Sequence, residues 1–520
     1  MQGYAPAGEG GVFARSREYY AETEEWLASA ETSGLQHAEL EEQMEVRGRE
    51  LVRRLFQGHL DLLAAREVRR DDVTGGDGIV RPRAERDHGR ALATKFGQVT
   101  VSRMAYRAPG APNVHPVDAA LNLPEEKHSH GIRKLAAIEA VRGSHEGAAA
   151  AITRATGVKI GKRQAEELVL RAAASVDGFC QDRRPAPAPD DHALVLTFDG
   201  KGIVMRPDAL RPATAKAAAA AQDKLATRLS PGEKHGRKRM AELACVYDAV
   251  PVPRAPEDVI TPPAKKRKKK VKKVKKKVKT QDKKVKGKRR EPQAKGKWLT
   301  ASVTDDIPAV ITAAFDEAER RDPEHRREWA VLVDGNNTQI DAVTAEAASR
   351  GITVTIIIDF IHVLEYLWQA AWSFFDKGEP AAEEWIADQA LKILRGRARQ
   401  VAAGIRRRAT TYQYSPAERA GAGECARYLT AKARHLDYPK ALKEGWPIAT
   451  GIIEGACRHL VKDRMDITGA RWGLEGAEAI LKLRALTASG DFDAYWRYHL
   501  RREHERIHHA RYRDSLILAA

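Results

Sequence analysis

Apolar positions change period along the chain, and the changes mark where one kind of structure gives way to another. Over residues 16–66, Leu27, Leu35, Leu40, Leu51, Leu55 and Leu60 recur at roughly helical spacing among charged residues, which predicts amphipathic helices. The segment FGQVTVSRMAYRAPG, residues 96–110, alternates apolar and polar positions like a hairpin. Residues 131–178 return to helical spacing. Within them GAAAAITRATGVKIGKRQAEELVLRAA divides into two helical halves around Gly157 and Val158. That is the layout of a DNA-binding helix-turn-helix, although any helical hairpin with a glycine turn shares it.

After the proline-rich stretch RRPAPAPDD, residues 183–191, the pattern changes to alternating strands and helices. HALVLTFDGKGIVM reads as a strand and hairpin, with further strands at 240–252 and 297–304. A helix follows over 306–321, opened by an acidic N-terminus, then a buried strand at 328–335, a helix at 337–350 and a second buried strand at 351–360. Three antiparallel strands followed by parallel ones predict the mixed five-stranded sheet of an α/β ribonuclease H-like core. The expected domains are a helical region over 1–90, a helical and DNA-binding region over 91–182, and the core over 192–370. An α-helical insertion over 371–446, a segment of C-terminal helices over 447–500 and a basic tail over 501–520 complete the chain.

Net charge is +18, but residues 265–290 hold 18 Lys and Arg against one acid, Asp282, and so supply +17 of it. The rest of the chain is nearly neutral. Such a run of like charges with four valines cannot build a core, so 262–296 is expected to be a disordered insertion that adds non-specific DNA affinity. No window approaches the roughly 18 consecutive apolar residues of a membrane span. A cytoplasmic, nucleoid-associated protein is expected, without membrane partners. Cys180, Cys245, Cys425 and Cys457 lie far apart without a CxxC pair, and are expected to be reduced.

Three carboxylates sit where phosphoryl transfer would need them. Asp199 and Asp334 each end an apolar strand, and Glu454 lies in GIIEGACRHLVKDRM. An Asp-Gly pair after a strand is ordinarily a turn. Here the two strands are the first and fourth of the sheet, neighbours in such a fold, so their carboxylates would converge. Two Mg2+ ions, with Mn2+ able to substitute, suit three carboxylates and substrate phosphate. Arg458 and Lys462, at i+4 and i+8 from Glu454, could pair with it or grip DNA phosphate. In DFIHVLEYLW, Asp359 ends the next parallel strand and is a rival to Asp334 as second metal ligand. His362 could be a packed core residue, an orienter of Asp359 or a general base.

FDGKGIVM, GEKHGRKRMAELACVYDAVP, VLVDGNN, IIIDFIHVLEYLW and the block from Gly451 to Trp496 resemble the ISKra-type insertion-sequence transposases of bacteria. The resemblance spans roughly residues 90–500. It implies a DDE transposase that cleaves and joins strands of double-stranded DNA at element ends and target, acting as a homodimer or higher oligomer. The family's catalytic motif falls on Asp199, Asp334 and Glu454, and its RW pair on Arg471 and Trp472, as packing or DNA contacts. Where relatives carry cysteines in a zinc-knuckle-like arrangement, Ala108, Ala111 and His115 stand here, so no zinc site is expected. Another ribonuclease H-like nuclease and a catalytically inactive, domesticated DNA-binding protein are the alternatives.

Overall fold

The computed structural model of the chain describes residues 11–71, 73–220, 238–261, 291–411, 414–467 and 469–512. It divides into two compact units, residues 1–182 with 475–520, and residues 183–474. The segment 447–500, expected as one piece, is therefore shared between the two. Most of the expected lysine-rich insertion, residues 262–290, lies outside the described residues, as does the end of the basic tail, 513–520.

The second unit is built on five strands: β1 (Ala193–Val204), β2 (Lys238–Val250), β3 (Gln293–Ser302), β4 (Trp329–Val333) and β5 (Val354–Ile358). Their order across the sheet is β5-β4-β1-β2-β3. β1, β2 and β3 pair antiparallel, while β4 lies parallel to both β1 and β5. All five residues of β4 are buried, as befits an inner parallel strand covered on both faces.

Two sequence expectations are corrected here. The stretch 192–205 does not turn at Asp199-Gly200. β1 runs on to Val204, because β2 offers a partner at every position from Ala193↔Ala249 to Val204↔Lys238. Continuous pairing with β2 supplies inter-strand hydrogen bonds to alternate residues beyond Asp199, in place of those a local turn would make. β3 also begins at Gln293, inside the stretch assigned to the insertion.

Helices cover the sheet and extend it. α1 (Ile307–Arg321) is capped by Asp306, which accepts from Ala309 N, and α2 (Asn337–Arg350) by Asn336, which accepts from Thr338 N. α3 (Phe360–Ala371) follows β5 directly. α4 (Pro380–Leu394), α5 (Ala398–Thr411) and α6 (Ala420–Ala431) form the helical stretch beyond it, and α7 (Gly451–Ala456) carries Glu454.

In the first unit, residues 90–94 pair with 97–101, and 83–85 with 105–107. The hairpin expected over 96–110 is thus displaced. Its first half pairs backward with 90–94, since Gly97, at φ +116°, supplies the turn that only glycine adopts easily. The N-terminal region is accordingly less purely helical than its leucine spacing suggests. Helices at 130–142, 145–156 and 162–173 pack through alanines and larger aliphatic residues, with Ala136, Ala140, Ile152, Ala165 and Leu168 all buried. Gly157, at φ +71°, ends the middle helix. Among the described residues, no helix is long and apolar enough to cross a membrane.

Candidate functional site

Three aspartates lie at one edge of the sheet. Leu332 is paired with Thr197 and Val333 with Ile358. Continuing each register places Asp334 between Asp199 on β1 and Asp359 at the end of β5. Backbone geometry thus aligns the carboxylates before any side chain is considered.

Each aspartate is held differently. Asp199 Oδ1 accepts from Gly200 N at 2.7 Å, and its Oδ2 from Cys457 Sγ at 3.0 Å. Asp334 Oδ1 accepts from Asn336 N at 2.7 Å, while its carbonyl accepts from the Tyr428 hydroxyl at 3.0 Å. Asp359 is fully buried. Its N–H donates to Val333 O at 2.8 Å, its Oδ1 accepts from Ile361 N at 2.8 Å to cap α3, and its Oδ2 accepts from the Thr450 hydroxyl.

Glu454 comes to this edge from α7. Ligand atoms of Asp359, His362 and Glu454 all lie within 4.8 Å of one another. Thr450 Oγ1 lies 3.4 Å from Glu454 Oε1 as well as against Asp359, so one hydroxyl links the two acids. Burial pushes the Glu454 carboxyl above its usual range. Repulsion from Asp359 and Asp199 adds to the rise, against the Thr450 hydrogen bond and His362. His362 Nδ1 is 3.0 Å from Glu365 Oε2. Carboxylate oxygens with one imidazole form a donor set suited to a divalent cation, and a cation here would relieve the repulsion among the acids.

The structure brings together Asp359, His362 and Glu454, with Asp199 tied to the chain just beyond α7 by Cys457. Asp334 occupies the strand between but is not part of the three-residue group. The helix of Glu454 continues as a π-helix over Cys457–Lys462, which carries Arg458 and Lys462, both exposed; Arg458 lies 3.7 Å from Asp463. Arg471 is exposed. Trp472 is buried, donates from Nε1 to Met465 O at 3.0 Å and stacks beneath the Arg464 guanidinium, so it packs within this unit.

Several residues at the site were not read from the sequence. Thr450 stands four residues before Glu454 and Cys457 three after it, a helical spacing that could have flagged both. Tyr428, Lys432 and Glu242 are distant in sequence and gave no signal. Tyr428 stacks on Tyr366, ring centroids 3.9 Å apart. Lys432 is buried and its amine contacts Asn337 Oδ1, with its pKa lowered by that burial. Compared with protein-family models and with curated proteins, the chain finds no match.

Proposed function

We propose that this chain is a metal-dependent DNA strand-cleaving and strand-transferring enzyme, a DDE-type transposase of the insertion-sequence kind with a ribonuclease H-like core. The observation that carries the reading is the convergence of Glu454 with Asp359 and His362 while Cys457, three residues further on, holds Asp199. The strand order β5-β4-β1-β2-β3, three antiparallel strands then two parallel ones, is the order expected of that core. Acids from two strands and a distant helix meeting at one sheet edge are costly to assemble without a cation.

Asp199, Glu454 and one or both of Asp334 and Asp359 would hold the Mg2+ or Mn2+ ions, which supply positive charge to activate a water or 3′-hydroxyl and to stabilise the leaving oxygen. The imidazole of His362 favours Mn2+ more than Mg2+. Thr450 fixes the mutual orientation of Asp359 and Glu454, and Cys457 fixes Asp199. Exposed Arg458, Lys462 and Arg471 are available to DNA phosphate. The test is cleavage and strand transfer by the purified protein on DNA carrying the ends that flank its gene. Metal-dependent nicking and joining supports the reading, hydrolysis without joining indicates a nuclease, and binding without cleavage indicates an inactive derivative.

A further inference from the structure

We infer that a basic cavity in the first unit is a seat for the backbone of duplex DNA, gripping phosphate through Lys127 and Lys159. The cavity measures about 560 Å³ and lies between the helix His37–Arg66, the hairpin 90–101 and the turn that follows the helix His145–Thr156. Arg49, Arg53, Phe96, Lys127, His128 and Lys159 are among its lining residues, against one acid, Glu50.

Charge bookkeeping at this cavity leaves the lysines over. Arg53 engages both Glu50 oxygens at 2.7 Å, and that bond leads the effects that hold the Glu50 carboxyl down at about 2. Arg49 is taken up by Glu45 at 2.5 Å and by the carbonyl of Arg154 at 3.2 Å. Lys127 and Lys159 are exposed, and among the described residues neither has an acidic partner. Their positive charge therefore faces an open cavity, where a phosphate would displace only water and counterions. Beside them Phe96 stands at the tip of the hairpin, 39% exposed, steadied edge-to-face by Phe56 at 5.8 Å. An aromatic face flanked by lysines is apolar where a deoxyribose or base is apolar, and basic where the phosphates run.

Duplex DNA, rather than an isolated phosphate, is indicated by what adjoins the cavity. The turn after Thr156 leads into the helix Lys162–Ala173, whose opposite side is buried through Ala165, Leu168 and Val169. Its first residues, Lys162 and Arg163, are exposed beside Lys159. A helix presented this way enters a major groove only if elements around it hold the flanking phosphates, and the cavity is placed to do that. This site is independent of the carboxylate chemistry, and a protein inactive in cleavage would retain it.

Lysine acetylation of the full-length protein, read residue by residue by mass spectrometry, reports on this cavity alone even while the lysine-rich segment binds DNA elsewhere. A random-sequence 20-base-pair duplex is expected to slow modification of Lys127 and Lys159 by about threefold or more, with Lys377 and Lys443 of the other unit unchanged. The same protection is expected in Asp199→Asn, which separates this result from the fate of the cleavage reading. In parallel, Lys127→Gln/Lys159→Gln should lower duplex affinity and reduce the salt slope by about 2, while Lys127→Arg/Lys159→Arg restores both. Unchanged acetylation rates, equal protection by inorganic phosphate or by the single strand, or an unaltered salt slope in the Gln variant would each overturn the assignment.

Discussion

Cys457 donates its thiol hydrogen to Asp199 Oδ2 across 3.0 Å, joining the first strand of the sheet to the π-helical stretch that follows Glu454. Burial, with the neighbouring Asp199 charge, pushes the thiol pKa up, which favours the S–H form that donates this bond. Asp199 thereby keeps one oxygen fixed and the other on the amide of Gly200.

Cys457→Ala should free that carboxylate. The loss of a buried hydrogen bond to a charged group costs about 1.5–3 kcal/mol, and part of it should appear as weaker divalent-metal binding rather than as lost stability. Isothermal titration with Mn2+ on Cys457→Ala and Cys457→Ser measures the split. Serine retains a donor and should recover most of the affinity; equal metal binding in wild type and the Ala variant would remove any positioning role for the thiol.

Asp359→Asn and Glu454→Gln should each abolish cleavage by more than a hundredfold, because each removes an anionic oxygen from the group that converges with His362. Asp334→Asn distinguishes the two candidates for the remaining ligand position. Asp334 is held by Asn336 N outside that group, so its variant should keep more activity than Asp359→Asn. Thermal unfolding supplies a second readout. Mn2+ at a hundredfold excess over its dissociation constant should stabilise the wild type by about 2.7 kcal/mol, and this gain should vanish in Glu454→Gln. The reverse ranking of Asp334→Asn and Asp359→Asn would exchange their assignments.

Mg2+ and Mn2+ should both support cleavage, with Mn2+ the better of the two because His362 adds an imidazole to the donor set. Ca2+ should bind without turnover, since it tolerates irregular oxygen coordination and activates water poorly. Activity that survives exhaustive chelation would exclude a metal-dependent reaction.

The strands, their order and the adjacency of Asp199 to Asp334 were legible in the sequence because inner parallel strands are uninterrupted apolar runs, and such runs survive without context. What hid the rest is non-local. Asp199-Gly200 carries the local signature of a turn, and only the register with Leu243 and Glu242 on β2 keeps it extended. The π-helix over Cys457–Lys462 cannot be told from an α-helix by apolar spacing alone over six residues. Asp359 was visible as a rival to Asp334, with His362 beside it, but the two aspartates could not be ranked, because the choice depends on where Thr450 brings Glu454. The passage of the chain back into the first unit at residue 475 leaves no mark in composition.

Acid should destabilise the first unit through its buried histidines. His499 is fully buried, with Nε2 against Arg133 Nη1 at 3.2 Å and Nδ1 against Ser175 Oγ at 3.2 Å. His508 is 2% exposed, and its Nε2 donates to Leu123 O at 2.9 Å. Burial lowers both, His499 to about 3 and His508 to about 4, and Arg133, His130 and Arg506 add repulsion at His499. Glu503 does not offset this, because it is engaged by Arg133 and Arg506. The folded pKa values lie below the unfolded value of about 6.5, so the unfolded chain binds more protons at acid pH. Stability from these groups is therefore whole above about pH 6.5 and falls as pH drops toward 4, at about 1.4 kcal/mol per pH unit for each histidine. Hydrogen exchange of amides in the helix Phe492–Ile507 at pH 7.5, 6 and 5, corrected for the intrinsic exchange rate, follows the opening free energy of this unit. Other titrating groups contribute to that total, so the comparison with His499→Gln isolates the residue. The variant should lose stability at pH 7.5, where it forfeits the Ser175 and Arg133 contacts, yet show a pH slope shallower by about one proton. An identical slope in the two proteins would mean that His499 does not change protonation between the folded and unfolded states in this range.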